Sequence, residues 1–337
     1  MINGFHTTGI GSLPHKDPLE ACRLILDSVD IPFWPQLPHK SFHELMVAQY
    51  SEGFPFVRIN GEDIYVEEAV DEDVASFYEA IANGRGFPIS EEYAAGLYAF
   101  INILREEGRR LNLIKGHVTG PITFTLSLTN TGKRPIFFDE EMRELALELL
   151  KGKVRWQIEM LKPYADKVII FIDEPILSAL GSSTYIGVDT QEVSRLLNEI
   201  VRHIREAGAI SGIHCCSKGD WHLVLSSMPD VLSFDAYYYW DTLSIYPDEF
   251  KRFIENNGYI AWGIVPTTGA IRSVTVNGLK EQLERGFSSL KRIGISDERL
   301  KRQSLLTPSC GAGSLQEEDA IRVFSLLKEL RDNYVRD

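Results

Sequence analysis

The sequence has no long apolar run and no recognisable leader. No window approaches the about 18 uninterrupted apolar residues of a membrane span, and no basic segment followed by an apolar stretch opens the chain. We therefore expect a cytoplasmic protein without a membrane anchor. Disulfides are rare in that reducing compartment, so the few cysteines are expected to be free, catalytic or metal-bound. They are Cys22, Cys215, Cys216 and Cys310.

The sequence has fewer basic than acidic residues. The 337 residues include 35 Lys and Arg against 48 Asp and Glu, which gives a formal net charge of −13. Nucleic acids and anionic membranes require clustered Lys and Arg, so the charge argues against both as partners. A small substrate or a protein partner is the expectation that remains.

Several common site motifs are missing. The stretch "GIGSLP" lacks the third glycine of a dinucleotide fingerprint and has Pro14 in its place. The phosphate loop GxxxxGK[ST], the GxSxG elbow and the zinc motif HExxH do not occur. The sequence therefore argues against nucleotide binding at this stretch.

Short apolar runs alternate with amphipathic segments of helical length. This order is typical of strand and helix units around a parallel sheet. Eight such runs occur, at residues 5–12, 31–37, 111–120, 167–175, 209–216, 231–237, 259–266 and 303–311.

Eight strands with helices between them predict a (β/α)₈ TIM barrel. We expect one domain over residues 1–337, with an insertion after the second strand at about 40–89. Asn60-Gly61 predicts a hairpin turn inside that insertion. In such barrels the site lies at the C-terminal ends of the strands, where polar residues of distant runs converge.

The run "GIHCCSKGD" concentrates imidazole and thiol groups at one strand end. Side chains alternate along a strand, so His214 and Cys216 point to one side and Cys215 to the other. Imidazole and thiolate are preferred zinc ligands, and Cys310 is placed to supply a third. The alternative is a set of ordinary buried cysteines beside a hydrogen-bonded histidine.

"FIDEP" places Asp173 and Glu174 at another strand end. A carboxylate there can bind a substrate ammonium or act as an acid or base. The alternative is a cap at a helix N-terminus.

Six motifs together resemble a known family. "IGSLP", "GHVTGPITF", "IDEP", "IHCC", "VLSFDAY" and "TPSCG", in this order, are similar to the C-terminal, catalytic half of cobalamin-independent methionine synthase. The resemblance runs from about residue 5 to 334 and implies a one-barrel core methionine synthase without the family's N-terminal barrel. The wider superfamily includes uroporphyrinogen decarboxylases and corrinoid-dependent methyltransferases.

The resemblance implies specific roles for residues of this chain. The implied zinc ligands are His214, Cys216, Cys310 and, where the family has Glu, Asp235. The implied homocysteine site comprises Ile10, Ser12 and Asp173, with Asp173 taking the amino group; Glu174 is its neighbour and Glu44 is the candidate for a further family Glu.

One departure from the family concerns the methyl donor. Arg272 stands where the family has a histidine that relays a proton to the departing folate. A methylcorrinoid needs no such proton, so the substitution favours methylcobalamin or a methylated corrinoid carrier protein as donor.

The resulting hypothesis is a zinc-dependent methyltransferase that forms methionine from homocysteine. The alternatives are methyltetrahydrofolate as donor, another thiol such as coenzyme M as acceptor, a metal-free decarboxylase of the uroporphyrinogen type, and a non-catalytic zinc protein.

Overall fold

The computed structural model describes residues 2–68, 70–83 and 86–335. The strands in these ranges are β1 Val57–Asn60, β2 Asp63–Val66, β3 Leu111–Thr119, β4 Thr129–Asn130, β5 Ala165–Asp173, β6 Ile210–Cys215, β7 Val231–Phe234, β8 Tyr259–Val265 and β9 Ser304–Pro308. The α-helices are α1 Pro18–Ser28, α2 Met46–Ser51, α3 Asp71–Ala82, α4 Ala95–Glu106, α5 Pro121–Ser127, α6 Glu140–Leu161, α7 Thr190–Glu206, α8 Trp221–Ser226, α9 Ala236–Tyr239, α10 Pro247–Glu255, α11 Val276–Arg292, α12 Asp297–Arg302 and α13 Glu317–Val335.

The larger sheet is parallel and has six strands in the order β3-β5-β6-β7-β8-β9. The prediction of a closed eight-stranded TIM barrel is therefore wrong. Six of the eight predicted runs form these strands, and the runs at 5–12 and 31–37 do not form strands in the described chain. The fold is a mixed α/β arrangement with a separate three-stranded sheet.

The two runs that are not strands make only isolated bridges. Thr7 pairs with Leu306 of β9, and Phe33 pairs with Lys115 of β3. Pro32 and Pro35 have no backbone N–H, so the run at 31–37 cannot donate along a continuous ladder. These segments lie against the two edges of the sheet without extending it as strands.

The smaller sheet belongs mainly to the segment predicted as an insertion. β1 and β2 form the predicted hairpin, in which Asn60 pairs with Asp63 and Gly61 adopts a φ of 63°. β4 joins β2 in parallel, through Tyr65 and Thr129. The hairpin is confirmed, the strand from residues 129–130 was not predicted, and the single-domain assignment stays a prediction.

Helices cover one face of the six-stranded sheet. In α7 the buried residues recur at three and four, as in Val193, Leu196, Leu197 and Ile200, and the Asp189 side chain caps its first turn. The opposite face of the sheet has its own apolar cluster, which includes Leu113, Ile169, Val231, Ala261 and Leu305. Burial on both faces explains why the strands read as continuous apolar runs.

The strand register aligns the residues that form the site. Asp173 at the end of β5 pairs with His214 of β6, and His214 pairs with Ser233 of β7. Because the strands are parallel, their C-terminal ends and the residues that follow lie on one edge of the sheet. Within the described chain, no helix combines the length and apolar character needed to cross a membrane.

Candidate metal centre and adjoining cavity

The end of β6 presents an imidazole and a thiol on the same side. His214 Nε2 lies 3.2 Å from Cys216 Sγ. Cys215 points away from them into the apolar core and is completely buried. The alternation expected from the sequence is confirmed for these three side chains.

Cys310, in the turn after β9, completes a compact group. Its Sγ lies 2.9 Å from Cys216 Sγ, and the ligand atoms of His214, Cys216 and Cys310 all lie within 4.8 Å of one another. One nitrogen and two sulfurs at this spacing fit a tetrahedral zinc site with three protein ligands. The hydrogen bond between the two thiols holds the pKa of Cys310 well below its ordinary value and raises the pKa of Cys216.

Ser233 orients the imidazole. Its Oγ lies 2.9 Å from His214 Nδ1 in the buried layer between β6 and β7. Such a partner on one ring nitrogen leaves Nε2 free as a ligand and fixes the plane of the ring. Sequence reasoning missed Ser233, because its proximity to His214 follows only from the strand register.

Asp235 lies at the edge of this group. Its Oδ1 accepts a hydrogen bond from the Tyr238 N–H at 3.0 Å, which makes it the N-cap of α9. Burial raises the pKa of Asp235 to about 6. It is not a member of the 4.8 Å group formed by the histidine and the two cysteines.

A cavity of about 450 Å³ opens beside the three candidate ligands. Besides them, its lining includes four of the residues predicted to bind substrate, namely Ile10, Ser12, Glu44 and Asp173. Glu174 and Asp235 are not in that lining. The structure thus brings together seven of the nine residues singled out from the sequence.

Gly311 and Gly313 pack closely against Ser12. A Cβ at Gly311 would lie 2.2 Å from Ser12 Oγ, and one at Gly313 would lie 2.8 Å from Pro38 Cγ. The Gly313 N–H donates to Ser12 Oγ at 3.2 Å. The loop after Cys310 therefore needs glycine to approach the "IGS" segment, and this contact fixes the serine at the cavity wall.

Asp173 can accept a further hydrogen bond. Its Oδ1 is buried and has no hydrogen-bond partner in the described chain. Burial raises the pKa of Asp173 to about 6, while the positive charge of Lys115 acts in the opposite direction. A buried carboxylate with an unpaired oxygen on a cavity wall can receive an ammonium donor.

Lys115 is a further buried cation that sequence reasoning missed. Its Nζ donates to the Ile10 carbonyl and lies 4.6 Å from the centre of the Phe171 ring. Burial lowers the pKa of Lys115 to about 8. Its position in the middle of an apolar strand was the available signal, since lysine is rarely buried without a specific contact.

Two predicted substrate residues hold helix termini. Glu174 accepts from the N–H groups of Ile122 and Thr123 at the start of α5, at 2.9 and 2.8 Å. Glu44 accepts from the N–H groups of Leu37 and Ala95, both at 2.9 Å. Burial raises the pKa of each carboxyl to about 7. The capping alternative considered for the Asp-Glu pair therefore describes the contacts of Glu174.

Arg272 lies away from the cavity. Its guanidinium makes two short contacts with Asp319 of α13, at 2.8 and 3.0 Å, and its side chain is exposed. His39 does line the cavity. Arg272, the residue that favoured a corrinoid donor, therefore does not extend its side chain into the cavity.

Comparison with known proteins supports the fold. A search of family profiles and a search of curated proteins each find no match to this sequence. A B12-independent methionine synthase from Shewanella sp. W3-18-1, solved with selenomethionine, is similar in structure, with a TM-score of 0.57 and 12% identity over 99% of both chains. At that identity the similarity shows a related fold and leaves the chemistry to be argued from the site.

Other similar structures match less well. One is the tandem GH20 catalytic modules of a pneumococcal exo-β-D-N-acetylglucosaminidase, with a TM-score of 0.46 and 10% identity over 98% of this chain and 85% of that one. Another is a GH5_18 protein of Bifidobacterium longum, with a TM-score of 0.45 and 13% identity over 98% and 78% of the two chains.

Proposed function

We propose that this protein is a zinc-dependent methyltransferase that methylates the sulfur of homocysteine to form methionine. The observation that carries the proposal is the group of His214, Cys216 and Cys310 on the wall of a cavity that also presents Asp173 and Ser12. The fold similarity to a methionine synthase and the resemblance of six ordered motifs support the same reading.

The residues present suit a zinc ion. His214 Nε2 and the sulfurs of Cys216 and Cys310 would hold it, with Ser233 fixing the imidazole. Three protein ligands leave a fourth position free, which is the pattern of catalytic rather than structural zinc sites. When bound, zinc supplies a Lewis acid that lowers the pKa of a substrate thiol, so that sulfur is nucleophilic at neutral pH.

The chain's own residues would hold the amino-acid end of homocysteine. Asp173 has an unpaired oxygen for the ammonium group, and Ile10 and Ser12 border the same cavity. Glu44 and Glu174 would act indirectly, by fixing the ends of the helices that frame the cavity. An acceptor without an amino group, such as coenzyme M, would leave Asp173 unpaired.

For the donor we propose methylcobalamin or a methylated corrinoid, delivered free or on a carrier protein. In the transfer the thiol would release its proton to solvent, the sulfur–methyl bond would form, and the methyl–cobalt bond of the donor substrate would break with both electrons left on cobalt. Arg272, held by Asp319 outside the cavity, offers no proton to a departing folate. Methyltetrahydrofolate is the second candidate, because His39 places an imidazole in the cavity lining.

Methionine formation from homocysteine tests the proposal. The zinc-loaded protein is offered methylcobalamin and methyltetrahydrofolate in separate reactions. We expect methionine with the wild-type chain, and loss of both bound zinc and turnover in His214→Ala and Cys310→Ala. Cys22→Ala, a buried cysteine on α1 outside the cavity, is the matched control and should retain both. A Cys310→Ala protein that keeps zinc and full turnover would refute the proposal.

A further inference from the structure

Gln36 is a polar side chain on the cavity wall that the sequence does not single out. It lines the same cavity as Ser12 and Asp173, and only 6% of its surface is exposed. Its backbone pairs with Ser12 in an isolated parallel bridge, in which the Gln36 N–H donates to the Gly11 carbonyl at 3.0 Å. The backbone of Gln36 is therefore held beside the "IGS" segment.

Two hydrogen bonds fix the direction of the Gln36 carboxamide. Gln49 is completely buried, and its Nε2 donates to the Tyr93 carbonyl at 2.7 Å. A carbonyl can only accept, so the Gln49 amide cannot be turned over, and its Oε1 receives the Gln36 Nε2 at 2.9 Å. The opposite orientation of Gln36 would bring two oxygens together. The Gln36 Nε2 is therefore committed to Gln49.

The Gln36 Oε1 remains as an acceptor. Within residues 2–68, 70–83 and 86–335, no N–H or O–H group donates to this oxygen. Nor is it one of the unpaired polar atoms that are shut off from solvent. A buried side chain usually has its polar atoms paired, so a fixed acceptor that opens on a cavity is suited to a donor group of a ligand.

Other oxygens on this wall already receive backbone donors. Each oxygen of Glu44 accepts one backbone N–H group, and Ser12 Oγ accepts the N–H of Gly313. Asp173 Oδ1, like Gln36 Oε1, receives none in the described chain. An ammonium group has three N–H donors, so one carboxylate oxygen leaves two of them to be paired elsewhere.

We propose that Gln36 Oε1 is a second acceptor for the ammonium group of the amino-acid substrate, in addition to the Asp173 carboxylate. This inference rests on the proposed function, which places homocysteine in the cavity. Gln36 thereby selects for a thiol that also carries an amino group. Gln49 is a positioning residue, because it keeps the Gln36 oxygen free for the ligand.

Calorimetric titration of two thiols into the zinc-loaded protein tests the inference without turnover. One is homocysteine, and the other is 4-mercaptobutyrate, which has the same carbon chain, thiol and carboxylate but no amino group. Gln36→Met should weaken homocysteine binding by about tenfold, through loss of a hydrogen bond to a charged group, and leave 4-mercaptobutyrate within about twofold of the wild type. The preference for homocysteine should fall accordingly.

Three further variants separate a binding role from a structural one. Gln36→Glu keeps an acceptor oxygen of the same reach and should retain the preference for homocysteine to within about threefold. Gln303→Met removes another buried glutamine, whose Nε2 donates to the carbonyls of Ile254 and Gly258, and should change neither affinity. Gln36→Asn replaces Gln36→Met should the latter not fold. Its amide is one methylene too short to reach both Gln49 and the ligand, so the same fall in preference is expected.

The two thiols also separate failure of this inference from failure of the proposed function. An equal loss of affinity for both thiols in Gln36→Met would indicate a structural role and overturn the inference, as would a wild type that binds both equally. If the wild type forms methionine while the Gln36 variants keep its full preference for homocysteine, only the role of Gln36 is refuted. If the wild type binds no homocysteine, the proposed function is refuted, and the role of Gln36 with it.

Discussion

Individual hydrogen bonds decide what the histidine and the cysteines can do. The imidazole of His214 is held between Ser233 Oγ at 2.9 Å and Cys216 Sγ at 3.2 Å, so one ring nitrogen is committed and the other faces the thiols. Partners of this kind are worth roughly 10- to 100-fold in metal affinity in known sites. We therefore expect the zinc affinity of the centre to depend on Ser233, which is not itself a ligand.

Replacing Ser233 by Ala should weaken zinc binding by about tenfold, since the imidazole loses the contact that fixes its plane. Chelator competition measures the zinc affinity directly. Ser289→Ala, which removes another buried hydroxyl on α11, is the matched control and should leave zinc affinity unchanged. Equal affinities in the two variants would show that Ser233 does not orient a metal ligand.

At the scale of single elements, short helices and their caps position the site. Glu174 accepts from N–H groups in the first turn of α5, Glu44 accepts from the N–H of Ala95 at the start of α4, and Asp235 is the N-cap of α9. Three buried carboxylates thus each secure the start of a helix beside or near the cavity. Acidic side chains are stabilising at helix N-termini, where N–H groups are otherwise unpaired. Carboxylates that the sequence suggests as site residues therefore serve partly to stabilise the starts of helices.

Asp235→Asn should keep both the cap of α9 and the zinc affinity, because Asn is as good an N-cap as Asp. Asp235→Ala should lower the free energy of unfolding by about 1 kcal/mol through loss of the cap. Zinc affinity and urea unfolding are measured on both. A loss of zinc affinity in Asp235→Asn would instead make Asp235 the fourth ligand, as the family resemblance implies.

Lys153 of α6 predicts a pH dependence of stability. The side chain is buried, its Nζ lies 3.4 Å from the Pro88 carbonyl, and burial lowers its pKa to about 7. The unfolded chain, with a pKa near 10.5, holds this proton up to higher pH, so stability should rise as pH increases from about 7 towards 10.

Lys153→Met should abolish that rise and increase the free energy of unfolding at pH 7 by on the order of a few kcal/mol. Urea unfolding at pH 7 and pH 10 measures both effects. Lys162→Met, at the exposed end of the same helical region, should behave like the wild type. A wild-type stability that is flat between the two pH values would contradict this account of the buried ammonium.

At the scale of the whole molecule, the pattern of apolar residues predicted individual strands better than it predicted whether the sheet closes into a barrel. Six apolar runs became the strands of the parallel sheet with helices between them, and the Asn60-Gly61 turn was found where expected. The runs at 5–12 and 31–37 carry glycine or proline and make only isolated bridges, so an apolar run alone was not enough to predict a strand there.

Part of the site could also be predicted from local patterns in the sequence. His214, Cys216 and Cys310 follow from ligand chemistry and side-chain alternation. Ser233 and Lys115 become visible only when the strand register and the fold place them. A capping role was considered for the Asp-Glu pair, but the helix that Glu174 caps and the contacts of Glu44 could not be predicted, because the N–H groups they accept from lie on segments distant in sequence.

The proposed zinc centre is tested by the number of sulfur neighbours of zinc, measured by X-ray absorption on the purified protein with and without homocysteine. We expect one zinc per chain with two sulfur neighbours from Cys216 and Cys310, rising to three when homocysteine is added. A protein that binds no zinc, or a sulfur count that stays at two with saturating homocysteine, would contradict it.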